Sequence, residues 1–417
     1  MNVTNRKTFY RMVFFGACVV ALALSACAPL QPQAPAGAAA AAATTVPAAA
    51  PTAVPTTAAI PNTGSIGPKA YIGLFKDNAV AVFDTTANKV LKTIPVPTGP
   101  HGLVITKDGR WVYVSSDGDS KVSVIDTTTD TIVHSIEVGK TPHGLAITPD
   151  GRMVLAAVFG TSQVVFIDTS TNQVVGQVAV PSPHNIAISP DGKTAYAASQ
   201  KPGAFGLAQI DLGAKQQARF IPLAKTPRAL NFSPDGSHLY VTLAGVNAVQ
   251  DINPASNQVT NQIAVGASPH HPLFVPDGSL ALVVAQGTNE LDFIDPKTAA
   301  IYLALKVGKM PHWIAVNPQG SMAWVTNEAS GDLSVVDLNT FTVTATIPVG
   351  NGPRKLVVQP AMPGSGQSAA GQPAAHTIAI SAMAFSQPSV TIKAGQAVTW
   401  TNQDSINHTV TADQGAW

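Results

Sequence analysis

The sequence predicts an all-β protein, a seven-bladed β-propeller followed by part of a β-sandwich, and three observations carry that prediction. A proline followed by histidine or arginine recurs at Pro100, Pro142, Pro183, Pro227, Pro269, Pro311 and Pro353. The step is about 42 residues, in the range of propellers and solenoids. Each period holds four short strand patterns bounded by turn residues, with no helical pattern between them. A closed ring of four-stranded sheets is the arrangement that protects the edges of such units.

Taken in order, the chain begins with Arg6, Lys7 and Arg11, then an apolar run from Met12 to Leu24, then small residues. Residues 1–26 therefore read as an export signal. Leu24-Ser25-Ala26-Cys27 resembles the lipobox of bacterial lipoproteins, which implies a lipid on Cys27, a membrane anchor and an extracytoplasmic place in the cell envelope, periplasmic or at the surface. An ordinary secretory signal cleaved near Ala26 is the alternative. With residues 1–26 removed, Cys27 is the last cysteine in the chain. That excludes disulfides, iron–sulfur clusters, thiol nucleophiles and Cys-x-x-Cys-His haem attachment, so haem is not expected. Residues 27–68, rich in alanine, proline and threonine, read as a tether. Charged residues make up only 11% of the chain and the net charge is +1, which leaves no basic field to recruit nucleic acid.

Residues 69–359 hold the repeats. In one copy the strands run Gly144 to Ile147, Arg152 to Val158, Gln163 to Ile167 and Gln173 to Val180. The first hairpin turns on Asp-Gly or Gln-Gly in most copies, because glycine takes positive φ without steric cost. A turn-capping aspartate closes the third strand at Asp84, Asp126, Asp168, Asp211, Asp251, Asp295 and Asp337. The first copy starts at Lys69 without an innermost strand, and the last copy is only such a strand, from Pro353 to Val358. The orphan strand is expected to complete the first blade and close the ring. Trp324-Val325-Thr326-Asn327, Tyr240-Val241-Thr242 and Tyr113-Val114-Ser115 resemble the motif of the YVTN β-propeller repeats, a resemblance that implies the fold more firmly than any function.

After each marker proline come His101, His143, His184, Arg228, His270, His312 and Arg354. By analogy with other propellers they stand around one mouth of the central channel. Two readings stand. The position meets the same local packing demand in every blade; or five imidazoles and two guanidiniums hold a metal or an anionic ligand, with His271 and Trp313 beside them. His134 and His238 read as surface residues. No Gly-rich phosphate loop, nucleophile elbow or His-Glu-x-x-His occurs, so neither a nucleotide nor a hydrolase site is expected.

Residues 360–376 read as a linker, and residues 377–417 show strand patterning again. Val390-Thr391-Ile392-Lys393-Ala394-Gly395, Val398-Thr399-Trp400-Thr401-Asn402 and Asp404-Ser405-Ile406-Asn407-His408 resemble the first half of plastocyanin- and amicyanin-like cupredoxins. The resemblance implies that His408 is the first ligand of a type 1 copper; the other ligands are absent from this chain, either because it is a truncated copy of a longer product or because the domain has degenerated. The function expected from these parts is a lipid-anchored copper protein that passes electrons to a redox partner protein, rather than an enzyme. One alternative is a surface protein whose propeller binds a ligand without redox chemistry. Another is a copper enzyme resembling nitrous oxide reductase in its domain order.

Overall fold

The computed structural model describes residues 68–360, 376–381, 384–385 and 398–402. Cys27, His408 and most of both tethers lie outside the described residues.

Seven four-stranded antiparallel sheets are formed. Six use consecutive strands: β4 (Pro100–Ile105) to β7 (Thr131–Glu137), β8 (Pro142–Ile147) to β11 (Gln173–Ala179), and β12 (Pro183–Ile188) to β15 (Gln216–Pro222). Then follow β16 (Pro227–Phe232) to β19 (Gln258–Ala264), β20 (Pro269–Phe274) to β23 (Ala300–Lys306), and β24 (Pro311–Val316) to β27 (Thr342–Pro348). The seventh joins β1 (Lys69–Leu74), β2 (Ala79–Asp84) and β3 (Lys89–Pro95) to the last propeller strand, β28 (Pro353–Val358). In that sheet Ala70 faces Val358 and Ile72 faces Leu356, and Asp77 accepts hydrogen bonds from both Asn351 nitrogens at 2.7 and 2.8 Å.

The core follows the ring. Seven apolar clusters are present, and each is shared by two neighbouring blades. One of them packs Ile72 and Phe83 of the first blade on Trp324 and Leu333 of the last, so the array is closed. The outermost strands face solvent, as in Thr131–Glu137, where only Ile136 is buried.

The Tyr-Val-Thr motif acts between blades. Tyr71, Tyr113 and Tyr196 each donate a 2.6 Å hydrogen bond to Asp130, Asn172 or Asn257 in the following blade. The hydroxyls of Ser115, Thr242 and Thr326 take the backbone N–H of the inner strand and donate to the carbonyl of His143, His270 or Arg354 next door. One polar residue thus joins two inner strands that share no sheet hydrogen bonds.

Three details differ from the sequence reading. Each inner strand begins at the marker proline itself, a position where a strand needs no donor, and the register then shifts, as between Pro142 and Leu145. In the fifth blade the turn cap is Asn253, which accepts from Ala255 and Ser256; Asp251 lies inside the strand, buried, and pairs with His238 at 2.9 Å. His238 is therefore not a bare surface residue. At the C-terminus the described residues form one three-stranded sheet, with β29 (His376–Ser381) between β30 (Ala384–Phe385) and β31 (Val398–Asn402). Among the described residues there is no second layer to make a sandwich, so the cupredoxin-like domain is not found.

Candidate functional site at the channel mouth

The register shift at each inner strand turns two successive residues toward the axis. In the sixth blade His270 packs on His312 while His271 packs on Trp313. The upper of the two positions brings together His101, His143, His184, Arg228, His270, His312 and Arg354. His101 and His143 lie 4.1 Å apart between ring centroids, His143 and His184 4.6 Å, His101 and His184 5.5 Å, His270 and His312 4.0 Å, and His101 and His312 6.2 Å. Glycine follows two of these histidines because the neighbouring inner strand runs close by: a Cβ on Gly102 or Gly144 would meet the carbonyl of His143 or His184.

Burial keeps these imidazoles neutral. It pushes His184 down to about 4 and His143 and His270 down to about 3, and it holds His101 and His312 well below the usual imidazole range. Neighbouring imidazoles and Arg354 act in the same direction. Neutral imidazoles keep a lone pair for a metal. The Nδ1 atoms of His101, His143, His270 and His312 are buried without a hydrogen-bond partner.

A second ring surrounds the first and was missed in the sequence. It is built by the residue directly after the second strand of each repeat. Asp117 reaches His143 Nε2 at 3.4 Å, and burial pushes its carboxyl up to about 7. Glu328 accepts from Arg354 at 3.0 Å and lies 3.8 Å from His312. Phe75 lies 3.5 Å under the Arg354 guanidinium, Phe159 flanks His143, and Gln286 accepts from Arg228 at 3.2 Å. The signal was available, since one offset from the Tyr-Val-Thr motif picks out all of these positions.

Farther along the inner strands lies a cavity of about 530 Å³ lined largely by apolar residues such as Ile147, Ile188, Phe232 and Val316. At its inner end His271 stacks on Trp313 at 3.4 Å, and Lys355 places its Nζ 4.6 Å from the Trp313 ring while donating to the Leu145 carbonyl at 2.8 Å. Burial pulls Lys355 down to about 7.

The profile described as "Cytochrome D1 heme domain" matches residues 71–367. The chain belongs to the cytochrome D1 haem domain family. No curated protein matches it. Among solved structures, hydrazine synthase of Kuenenia stuttgartiensis is similar at 20% identity and a TM-score of 0.61, over 66% of this chain and 93% of that one. The dihydro-heme d1 dehydrogenase NirN, in complex with DHE, is similar at 17% and 0.54, over 70% and 75%. A functionally unknown protein from Desulfotomaculum acetoxidans DSM 771 is similar at 16% and 0.58, over 70% and 98%. At these identities the likeness is one of fold.

Membership in the cytochrome D1 haem domain family corrects three expectations. The family is a haem propeller, neither the YVTN-type repeat family nor a cupredoxin fusion. The reading as a copper electron carrier, or as a copper enzyme resembling nitrous oxide reductase, is overturned with it. The expectation of no haem also falls: lack of cysteine excludes only thioether attachment, while haem iron held by an imidazole needs no cysteine.

Proposed function

We propose that the protein is a haem-binding β-propeller that holds an iron tetrapyrrole at the histidine-lined mouth of its channel. The observation that carries this reading is the set of buried, neutral imidazoles with unpartnered Nδ1 atoms in a chain of the cytochrome D1 haem domain family. The donor set fits the group. His270 and His312 offer lone pairs to iron, Arg228 and Arg354 offer guanidinium forks to carboxylate substituents, and Phe75 and Phe159 offer apolar faces. When bound, the group would supply an iron centre for ligand binding or one-electron chemistry.

What the chain's own residues contribute follows from their surroundings. Glu328 orients Arg354 through two hydrogen bonds, at 3.0 and 3.2 Å, and keeps its charge balanced before any ligand arrives. Ser268 and Gln286 hold the Arg228 guanidinium in the same way, at 3.0 and 3.2 Å. Burial of His270 and His312 keeps a second proton off each ring at neutral pH, so each retains one nitrogen lone pair to donate.

Titration of the purified chain with haemin, followed by the Soret band, tests the reading. Saturation at one haemin per chain is expected, with loss of the band shift in a His270→Ala, His312→Ala double variant that keeps its circular dichroism. Equal binding by the double variant, or no Soret shift at all, would overturn it.

A further inference from the structure

We propose that His101, His143 and His184 form a separate tridentate site for a divalent transition-metal ion, with zinc the expected occupant and Asp117 beside it. One ligand atom from each of the three side chains lies within 4.8 Å of the other two. Points that far apart all fall within about 2.8 Å of a common centre, which is 4.8 Å divided by √3. Zinc–nitrogen bonds are about 2.0–2.1 Å, so each ring need move less than about 1 Å, a small turn about its side-chain torsions.

The surroundings prepare these rings as ligands. Nδ1 of His184 lies 3.0 Å from both the Arg228 carbonyl and the Asn185 amide nitrogen, so that nitrogen is already partnered and Nε2 is the one left for a metal. Metal-bound histidines usually have their second nitrogen fixed in this way. Nδ1 of His101 and of His143 is buried with no partner, as is Oδ1 of Asp117. Buried polar atoms left unsatisfied call for an occupant. Asp117 Oδ2 stands 3.4 Å from His143 Nε2, close enough to orient that ring or to take a fourth position. Arg354 opposes a cation here, but it is already paired with Glu328, and Asp117 adds a second carboxylate to the mouth.

The arrangement also distinguishes this site from the tetrapyrrole reading. Four pyrrole nitrogens leave iron only two positions, on opposite faces of the ring, so three imidazoles converging from one side cannot all serve it. A bare ion takes all three. The triad occupies blades two to four, whereas His270 and His312 belong to blades six and seven. Its metal therefore does not depend on haem being bound.

The test uses the whole purified chain, stripped with a chelator and free of haemin. Zinc is titrated against a chromophoric competitor, and cobalt(II) is added in parallel for the visible bands of a four-coordinate ion. Expected are one zinc per chain and a cobalt spectrum of tetrahedral intensity. Replacing Asp117 by Asn lowers the affinity about 10- to 100-fold, the usual cost of an outer partner. His143→Gln, which keeps much of the side-chain volume, and His101→Ala lower it further, whereas His134→Ala, on the exposed outermost strand of the second blade, leaves it unchanged. Fewer than one zinc in ten chains, or equal loss from His134→Ala, would overturn the site. The Soret titration above reads haem separately, so either result can fail alone.

Discussion

Acidification from pH 7 to pH 5, in chelator, should cost the metal-free propeller stability, and the structure sets the size of the loss. An imidazole pushed below its ordinary 6.5 binds fewer protons folded than unfolded. Its contribution is complete above about pH 6.5 and is lost as the pH falls toward the folded value. For His143 and His270, at about 3, and His184, at about 4, the loss over this interval is about 1.9 kcal/mol each, or about 6 kcal/mol together. The result hardly depends on the folded values, since all three rings stay neutral at pH 5 in the fold. Two carboxyls act the other way. Asp117, raised to about 7, and Asp292, raised to about 6, take up protons in the fold and return about 3.5 kcal/mol. The balance is a loss of about 2 kcal/mol before His101, His271 and His312, all held low by burial, add to it in the same direction. Against a domain stability of about 5–15 kcal/mol this is measurable by urea unfolding followed through tryptophan fluorescence. His184→Gln should reduce the pH 7 to pH 5 difference by about 1.9 kcal/mol. Equal or greater stability at pH 5, or an unchanged difference in His184→Gln, would refute the reasoning.

Two further predictions concern the blades. Gly144→Ala places a Cβ 2.5 Å from the His184 carbonyl and 2.9 Å from the Asn185 Cα, backbone that cannot yield, and should cost about 1–3 kcal/mol in thermal unfolding. Gly73→Ala meets chiefly a Leu103 methyl at 2.9 Å and should cost less; the reverse order would contradict the account. Tyr196→Phe loses its 2.6 Å bond to Asn257 and should cost about 1 kcal/mol. Tyr240→Phe removes a buried hydroxyl with no partner, because Ala299 stands where Asn257 stands one blade earlier, and should leave stability unchanged or raise it.

The propeller was legible because two independent markers share one period. The inner-strand proline and the Asp-Gly turn both answer backbone demands that recur in every blade, and backbone demands leave residue-level traces. Convergence of the seven histidines and arginines followed from the same period once the inner strand was known. Asp251 was misplaced because two acceptor residues, Asp251 and Asn253, lie two apart, and only the observed register shows which of them meets the turn. Asp117 and Glu328 stayed hidden because their position varies among Phe, Asp, Gln, Ala and Glu from blade to blade, so no single repeated letter marks it. No repeated signal marks Lys355, and its burial on Trp313 depends on packing across the channel. Haem was excluded by an argument about cysteine that is sound only for covalent attachment. The cupredoxin resemblance rested on short segments, and short strand segments with a Lys-Ala-Gly-Gln turn satisfy the local rules of many sheets.

Ring closure by β28 on β1 has a mechanical consequence. The pair is antiparallel, and its outer end carries the Gln359 N–H to Lys69 carbonyl bond at 2.7 Å. A pull between the segments before Lys69 and after Gln359 would enter at that one rung and peel the pair stepwise, instead of loading all of its hydrogen bonds in shear. A propeller held together by seven shared cores would yield easily to tension applied across its two ends.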